Sequence, residues 1–161
     1  MAEEKPSFDL VSLNPPLVFG PVTEGVSLDR LNTSNQRIAA MVEGKFRDIP
    51  LPPTGVYLWL DVRDLALAHV RALTAAESGG QRFLVAAGYF SNKAIVDAIR
   101  VTHSDLRSKS PDAPVDDPPP NIYKYNDGRK VASILGIASY RSFTETIGDT
   151  VDSLIRTVQA S

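Results

Sequence analysis

The sequence has 161 residues, 43% of them hydrophobic and 22% charged, with no cysteine and a formal charge of -2. That balance describes an ordinary globular chain of about one domain, and it excludes extended disorder, collagen-like repeats and a disulfide scaffold. With 17 basic against 19 acidic side chains there is no cationic surplus to release counterions from a nucleic acid, and the lack of cysteine removes thiolate metal sites and thiol nucleophiles.

No apolar run approaches the roughly 20 residues that span a bilayer, and Met1 to Pro6 has neither the basic start nor the apolar core of a signal peptide, so a cytoplasmic location without a membrane partner is expected. Phe8 to Leu13 reads as a strand that Asn14-Pro15-Pro16 ends, since proline has no N–H for a ladder. Four of its six residues are apolar, which suits an inner, parallel strand covered on both faces. Leu31 to Glu43 has helical periodicity through Leu31, Ile38, Met41 and Val42, with Gly44 placed for the C-terminal cap.

Val56 to Leu60 reads as a second strand, which Asp61 ends while capping a helix from Val62 to about Ala76. The apolar face of that helix is Val62, Leu65, Ala66, His69, Ala72 and Leu73, and Gly79-Gly80 separates it from a strand over Arg82 to Ala86. Strand, helix, strand is a crossover, and it predicts parallel strands in an α/β sheet.

Ser91 is placed to cap a helix from Asn92 to about His103, with Ile95 and Ile99 inward. Pro111 to Pro120 holds five of the twelve prolines and reads as an exposed connection. Asp127 precedes a short helix to Leu135 with Val131, Ile134 and Leu135 inward, closed by Gly136. Ser142-Phe143-Thr144-Glu145 matches a capping box, and Ile147, Val151, Leu154, Ile155 and Val158 continue it as the strongest helix pattern in the chain.

The motifs that carry chemistry are sparse. No G-x-G-x-x-G and no Gly-Lys-Ser/Thr is present, and two histidines 34 residues apart make no metal set, so no metal ligand is assigned. His69 reads as a buried imidazole bonded to the backbone or to a carboxylate, and His103 as a cation suited to a helix end. Asp61 and Asp64 flank Arg63 at a helix start, where capping and neutralisation explain them better than acid/base catalysis. Tyr89 and Lys93 have the tyrosine-x-x-x-lysine spacing, but Ser91 starts the helix between them and leaves Tyr89 in the preceding loop, so no catalytic residue is assigned. Asn32-Thr33-Ser34 matches the N-glycosylation pattern by accident, there being no secretory signal.

Asn14-Pro15-Pro16-Leu17-Val18-Phe19-Gly20-Pro21, Leu31-Asn32-Thr33-Ser34, Trp59-Leu60-Asp61-Val62-Arg63-Asp64-Leu65-Ala66-Leu67-Ala68-His69 and Leu135-Gly136 resemble, in the same order, the C-terminal half of extended short-chain dehydrogenase/reductases. The resemblance is strongest to the fungal NADPH-dependent aldehyde and methylglyoxal reductases, relatives of dihydroflavonol 4-reductase. It implies residues 1–161 as a single substrate-binding half: the C-terminal strands of a Rossmann-type parallel sheet plus a small, mostly helical substrate domain.

It also implies NADPH as cofactor, a small carbonyl compound as substrate, backbone approach of Pro15, Pro16, Leu17 and Val18 to the nicotinamide, and Ser34 near the ribose and phosphates. Leu17 stands where the aldehyde reductases are often aromatic. The family's glycine fingerprint and its catalytic serine, tyrosine and lysine have no counterpart here, so the chain is expected to be catalytically incomplete alone. The alternative is a non-catalytic interaction protein, self-associating through the exposed apolar surface of the sheet.

Overall fold

The computed structural model describes residues 7–111 and 128–159. Its strands are β1 (Ser12–Asn14), β2 (Leu17–Phe19), β3 (Leu58–Asp61), β4 (Arg82–Leu84) and β5 (Gly88–Tyr89). Its α-helices are α1 (Thr33–Val42), α2 (Val62–Thr74), α3 (Asn92–Thr102), α4 (Gly128–Leu135) and α5 (Phe143–Gln159). The proline-rich segment beyond Pro111, and Asp127, lie outside the described residues. This is the expected α/β class, with parallel pairing dominant and helices forming most of the mass.

The strands form two small sheets. β1 pairs with β4 in parallel, Leu13 opposite Phe83, and β2 pairs with β3 in parallel, Val18 opposite Leu60. β5 adds to β3 antiparallel. The crossover β3-α2-β4 therefore does not place its two strands side by side as the pattern predicts: each takes a partner from the N-terminal segment instead. The first strand is also shorter and later than Phe8 to Leu13. It has one partner, its three residues are half-buried, and it is not an inner strand among the described residues. Leu10 still contributes its carbonyl, which accepts from the Gly80 N–H at 2.9 Å.

Local signals place the helix ends. Asp61 Oδ1 accepts from the Arg63 N–H at 2.7 Å, Ser91 Oγ from the Ala94 N–H at 3.1 Å, and Ser142 Oγ from the Glu145 N–H at 3.2 Å, each satisfying a donor that a helix leaves orphaned. Gly44 and Gly136 sit at φ +79° and +67°, the left-handed geometry of a C-terminal cap.

Two apolar cores result. In the larger, Ile38 and Met41 of α1, Ile95 and Ile99 of α3 and Ile147, Val151 and Leu154 of α5 enclose the edge-to-face aromatics Phe19 and Phe90. Trp59 and Phe143, with ring centroids 4.8 Å apart, close this cluster beneath β3. In the smaller, Ala68 and Ala72 of α2 and Val131 and Leu135 of α4 cover Phe83 and Val85.

The buried face of α2 differs from the expected one. Asp64, Ala68 and Ala72 point inward at four-residue spacing, whereas Val62, Ala66, His69 and Leu73 are exposed. His69 keeps its expected backbone partner, the Leu65 carbonyl at 2.8 Å, but at the surface. The small side chains Ala68 and Ala72 carry this face into the smaller core, in one cluster with Phe83, Val131 and Leu135.

Candidate functional site

Ser34, on the first turn of α1, lines one cavity of about 280 Å³ together with Leu17 of β2, and Phe46, Pro52 and Thr54 complete much of its wall. Ser34 is buried, yet its hydroxyl makes no hydrogen bond among the described residues. The helix start beside it lacks a side-chain cap, because Asn32 turns its amide to the Val18 carbonyl at 2.9 Å instead. A free hydroxyl beside uncapped N–H groups at the positive end of a ten-residue helix is a set of donors suited to phosphate or ribose oxygens.

Asn35 adds a second tie, donating to the Gly20 carbonyl at 2.9 Å. The two asparagines thus bracket Ser34 and fix the start of α1 against the strand that carries Leu17 and Val18. Gly20 permits the chain to turn there: its φ is +138°, and a Cβ would stand 2.5 Å from Val62 Cγ1.

The other expected site residues lie beside this cavity. Val18 lines an adjoining cleft of about 200 Å³ with Asn32 and Asn35. Pro15 is exposed and Pro16 half-buried at the turn between β1 and β2, and neither lines the cavity that Leu17 and Ser34 share. Two larger clefts, one between β1 and α2 and one between the 22–27 loop and α5, contain none of the five.

The residues that the sequence reading set aside make the following contacts. Asp61 is fully buried, and its carboxylate accepts from Arg63 at Nε and Nη2 and from Thr146 Oγ1 at 2.7 Å. Burial pushes this carboxyl up, but the bonds from Arg63 and Thr146 outweigh burial and hold it below the usual carboxylate range. Asp61 in turn raises the Arg63 guanidinium above its ordinary value, and Asp149 adds to this at 2.6 Å. Asp64 is neutralised not by Arg63 but by Arg141. Tyr89 lies in β5 and Lys93 pairs with Asp97 on α3, so the two do not share a helix. His103 follows the last turn of α3 and meets Asp152 of α5 at 3.0 Å.

Among the described residues no group of three or more His, Asp or Glu is placed to hold a metal, and no helix is long and apolar enough to cross a membrane.

Sequence reasoning missed Asn35, Arg37 and Thr54 at this site. Only their neighbours Asn32 and Ser34 carry a motif, and nothing local marks Arg37 and Thr54 as meeting at one cavity with Asn35 in the cleft beside it.

Comparison with known proteins places this geometry. The fold is that of the Rossmann-type reductases: it superposes on the reductase Gre2 of Candida albicans, solved with NADPH, at a TM-score of 0.79 and 28% identity, covering 96% of this chain and 46% of that one. The ketoreductase azaE of Aspergillus niger is 46% identical over 154 residues, which is 94% of this chain and 45% of the relative. The NADPH-dependent methylglyoxal reductase of Saccharomyces cerevisiae is 28% identical over 155 residues, 92% of this chain and 44% of the relative.

No protein-family model matches the chain. It nevertheless belongs with the extended, epimerase-like short-chain dehydrogenase/reductases, close to the fungal NADPH-dependent methylglyoxal reductases. The chain spans less than half the length of the relatives it matches.

Proposed function

We propose that residues 1–161 act as the substrate-binding half of an NADPH-dependent carbonyl reductase of the cytoplasm, and that they do not transfer hydride alone. The observation that supports this most is the shared cavity of Leu17 and Ser34, with the Ser34 hydroxyl unpartnered at the uncapped start of α1.

The donor set fits part of the cofactor. Ser34 and the first N–H groups of α1 suit a ribose or phosphate oxygen, while Pro15, Pro16, Leu17 and Val18 offer main-chain and apolar surface to the nicotinamide side. When bound, NADPH supplies the hydride for a carbonyl carbon. Two features of such an enzyme are missing: the sequence has no G-x-G-x-x-G loop to cradle a pyrophosphate, and among the described residues no tyrosine and lysine share a helix from which a proton reaches an alkoxide. Methylglyoxal, which the yeast relative is named for, is the first substrate to test.

Titration of the purified chain with NADPH, followed by cofactor fluorescence, tests the reading. Binding that Ser34→Ala weakens supports it. Unaltered binding in the variant contradicts the assignment of Ser34.

One observation favours a second reading, a non-catalytic interaction protein. Phe8, Leu10, Val70 and Leu73 are all more than half exposed and β1 has a single strand partner among the described residues, and exposed apolar side chains with an open strand edge recruit another chain or a second copy. Light scattering separates the readings, because a monodisperse monomer across concentration removes the support for self-association.

A further inference from the structure

Resting on the reductase reading above, we infer that Arg37 is a positioning residue that sets the length of carbonyl compound the cavity accepts, by seating the wall from Pro52 to Thr54. Arg37 lies one turn beyond Ser34 on α1 and lines the same cavity. Its Nη1 donates to the Pro52 carbonyl at 2.8 Å and its Nη2 to the Pro53 carbonyl at 3.2 Å. Asn92, fully buried at the start of α3, donates to the same Pro52 carbonyl at 3.0 Å and accepts from Arg37 at 3.0 Å.

Two adjacent prolines have no N–H, so this stretch has no ladder to hold it and its carbonyls are its main-chain handles. A guanidinium is a rigid fork that holds two successive carbonyls at once, whereas an ammonium is a single point of charge that does not. The wall therefore stands where Arg37 puts it. It brings one further group, the Thr54 hydroxyl, which is enclosed at the cavity without a hydrogen-bond partner. Such a group is costly to bury unsatisfied, and a carbonyl oxygen held in the cavity is an acceptor for it. The rest of the lining is mainly apolar, through Leu17, Phe19, Ala40, Phe46 and Pro52, which points to a short aliphatic ketone or aldehyde as the ligand class.

The test uses the full chain, NADPH, and straight-chain methyl ketones from butanone to nonanone as probes, with affinities from ligand-observed NMR. Wild type is expected to favour the short ketones by about tenfold, and Arg37→Lys to reduce that preference to within about threefold. Thr54→Val, which leaves the clamp intact, is expected to weaken every ketone by about tenfold and keep the length preference.

A length preference unchanged in Arg37→Lys overturns the inference and leaves the reductase reading standing. Ketones that bind nowhere on the wild type overturn the inference, and failure to bind NADPH as well overturns both. Should Arg37→Lys fail to fold, unchanged ketone affinity in Thr54→Val still overturns it.

Discussion

Arg141 holds Asp64 twice, through its main-chain N–H at 2.9 Å and through its guanidinium, across 77 positions of sequence. This ties the first turn of α2 to the segment that leads into α5. Asp61 makes the parallel tie one turn earlier by accepting from Thr146, so the start of α2 is bound to the start of α5 by two buried carboxylates.

Arg141→Ala leaves Asp64 with its main-chain donor but without a counter-charge. Stranding a buried charge costs about 3–5 kcal/mol, but Arg141 is about a third exposed and the N–H bond survives, so a loss of roughly 1–2 kcal/mol is expected. Urea unfolding followed by circular dichroism measures it. An unchanged midpoint would show that the main-chain bond alone satisfies Asp64.

Asp61 gives the chain an acid limit. Its folded carboxyl lies below the unfolded value of ~3.9, so its contribution is complete above that value and is lost as pH falls through the lower folded one. Thr146→Val removes one bond to the charged form and moves the folded value upward. Acid unfolding should then begin at higher pH than in wild type, as read by ellipticity against pH.

How much of this was legible follows the range of each interaction. The caps at Asp61, Ser91 and Ser142 are contacts over two or three residues, and the letters alone place them. β2 and β5 are three and two residues long and exist by pairing with β3, about 40 and 30 positions away, so no local pattern announces them. The face of α2 was misread because Val62, His69 and Leu73 form a genuine apolar stripe that the described chain leaves uncovered, while Ala68 and Ala72 carry the packing. At the site, Leu17 and Ser34 emerge from family resemblance. Arg37 and Thr54 emerge only once the 52–54 segment is folded back on α1.

Gly20 is the least replaceable backbone position near the site. Gly20→Ala forces a side chain into positive φ and against Val62, and a loss of at least ~2 kcal/mol is expected from the two effects together. Thermal unfolding measures it, and a wild-type midpoint would mean that β2 and α2 separate at little cost.

Leu73 is 87% exposed at the far end of α2, so Leu73→Lys is expected to leave stability within about 0.5 kcal/mol. If the patch drives self-association, the variant lowers the weight-average mass at high concentration in sedimentation equilibrium. Equal masses would place the contact elsewhere.

Whether residues 1–161 form a half-site that holds the cofactor but lacks the means to use it is tested by one assay: NADPH oxidation by wild type and Ser34→Ala with methylglyoxal present, with binding recorded on the same samples. Saturable binding by wild type is expected, with affinity lower by about tenfold in Ser34→Ala as for one lost bond to a charged group, and no oxidation by either. Steady NADPH consumption by the wild-type chain, with no other polypeptide present, would contradict it.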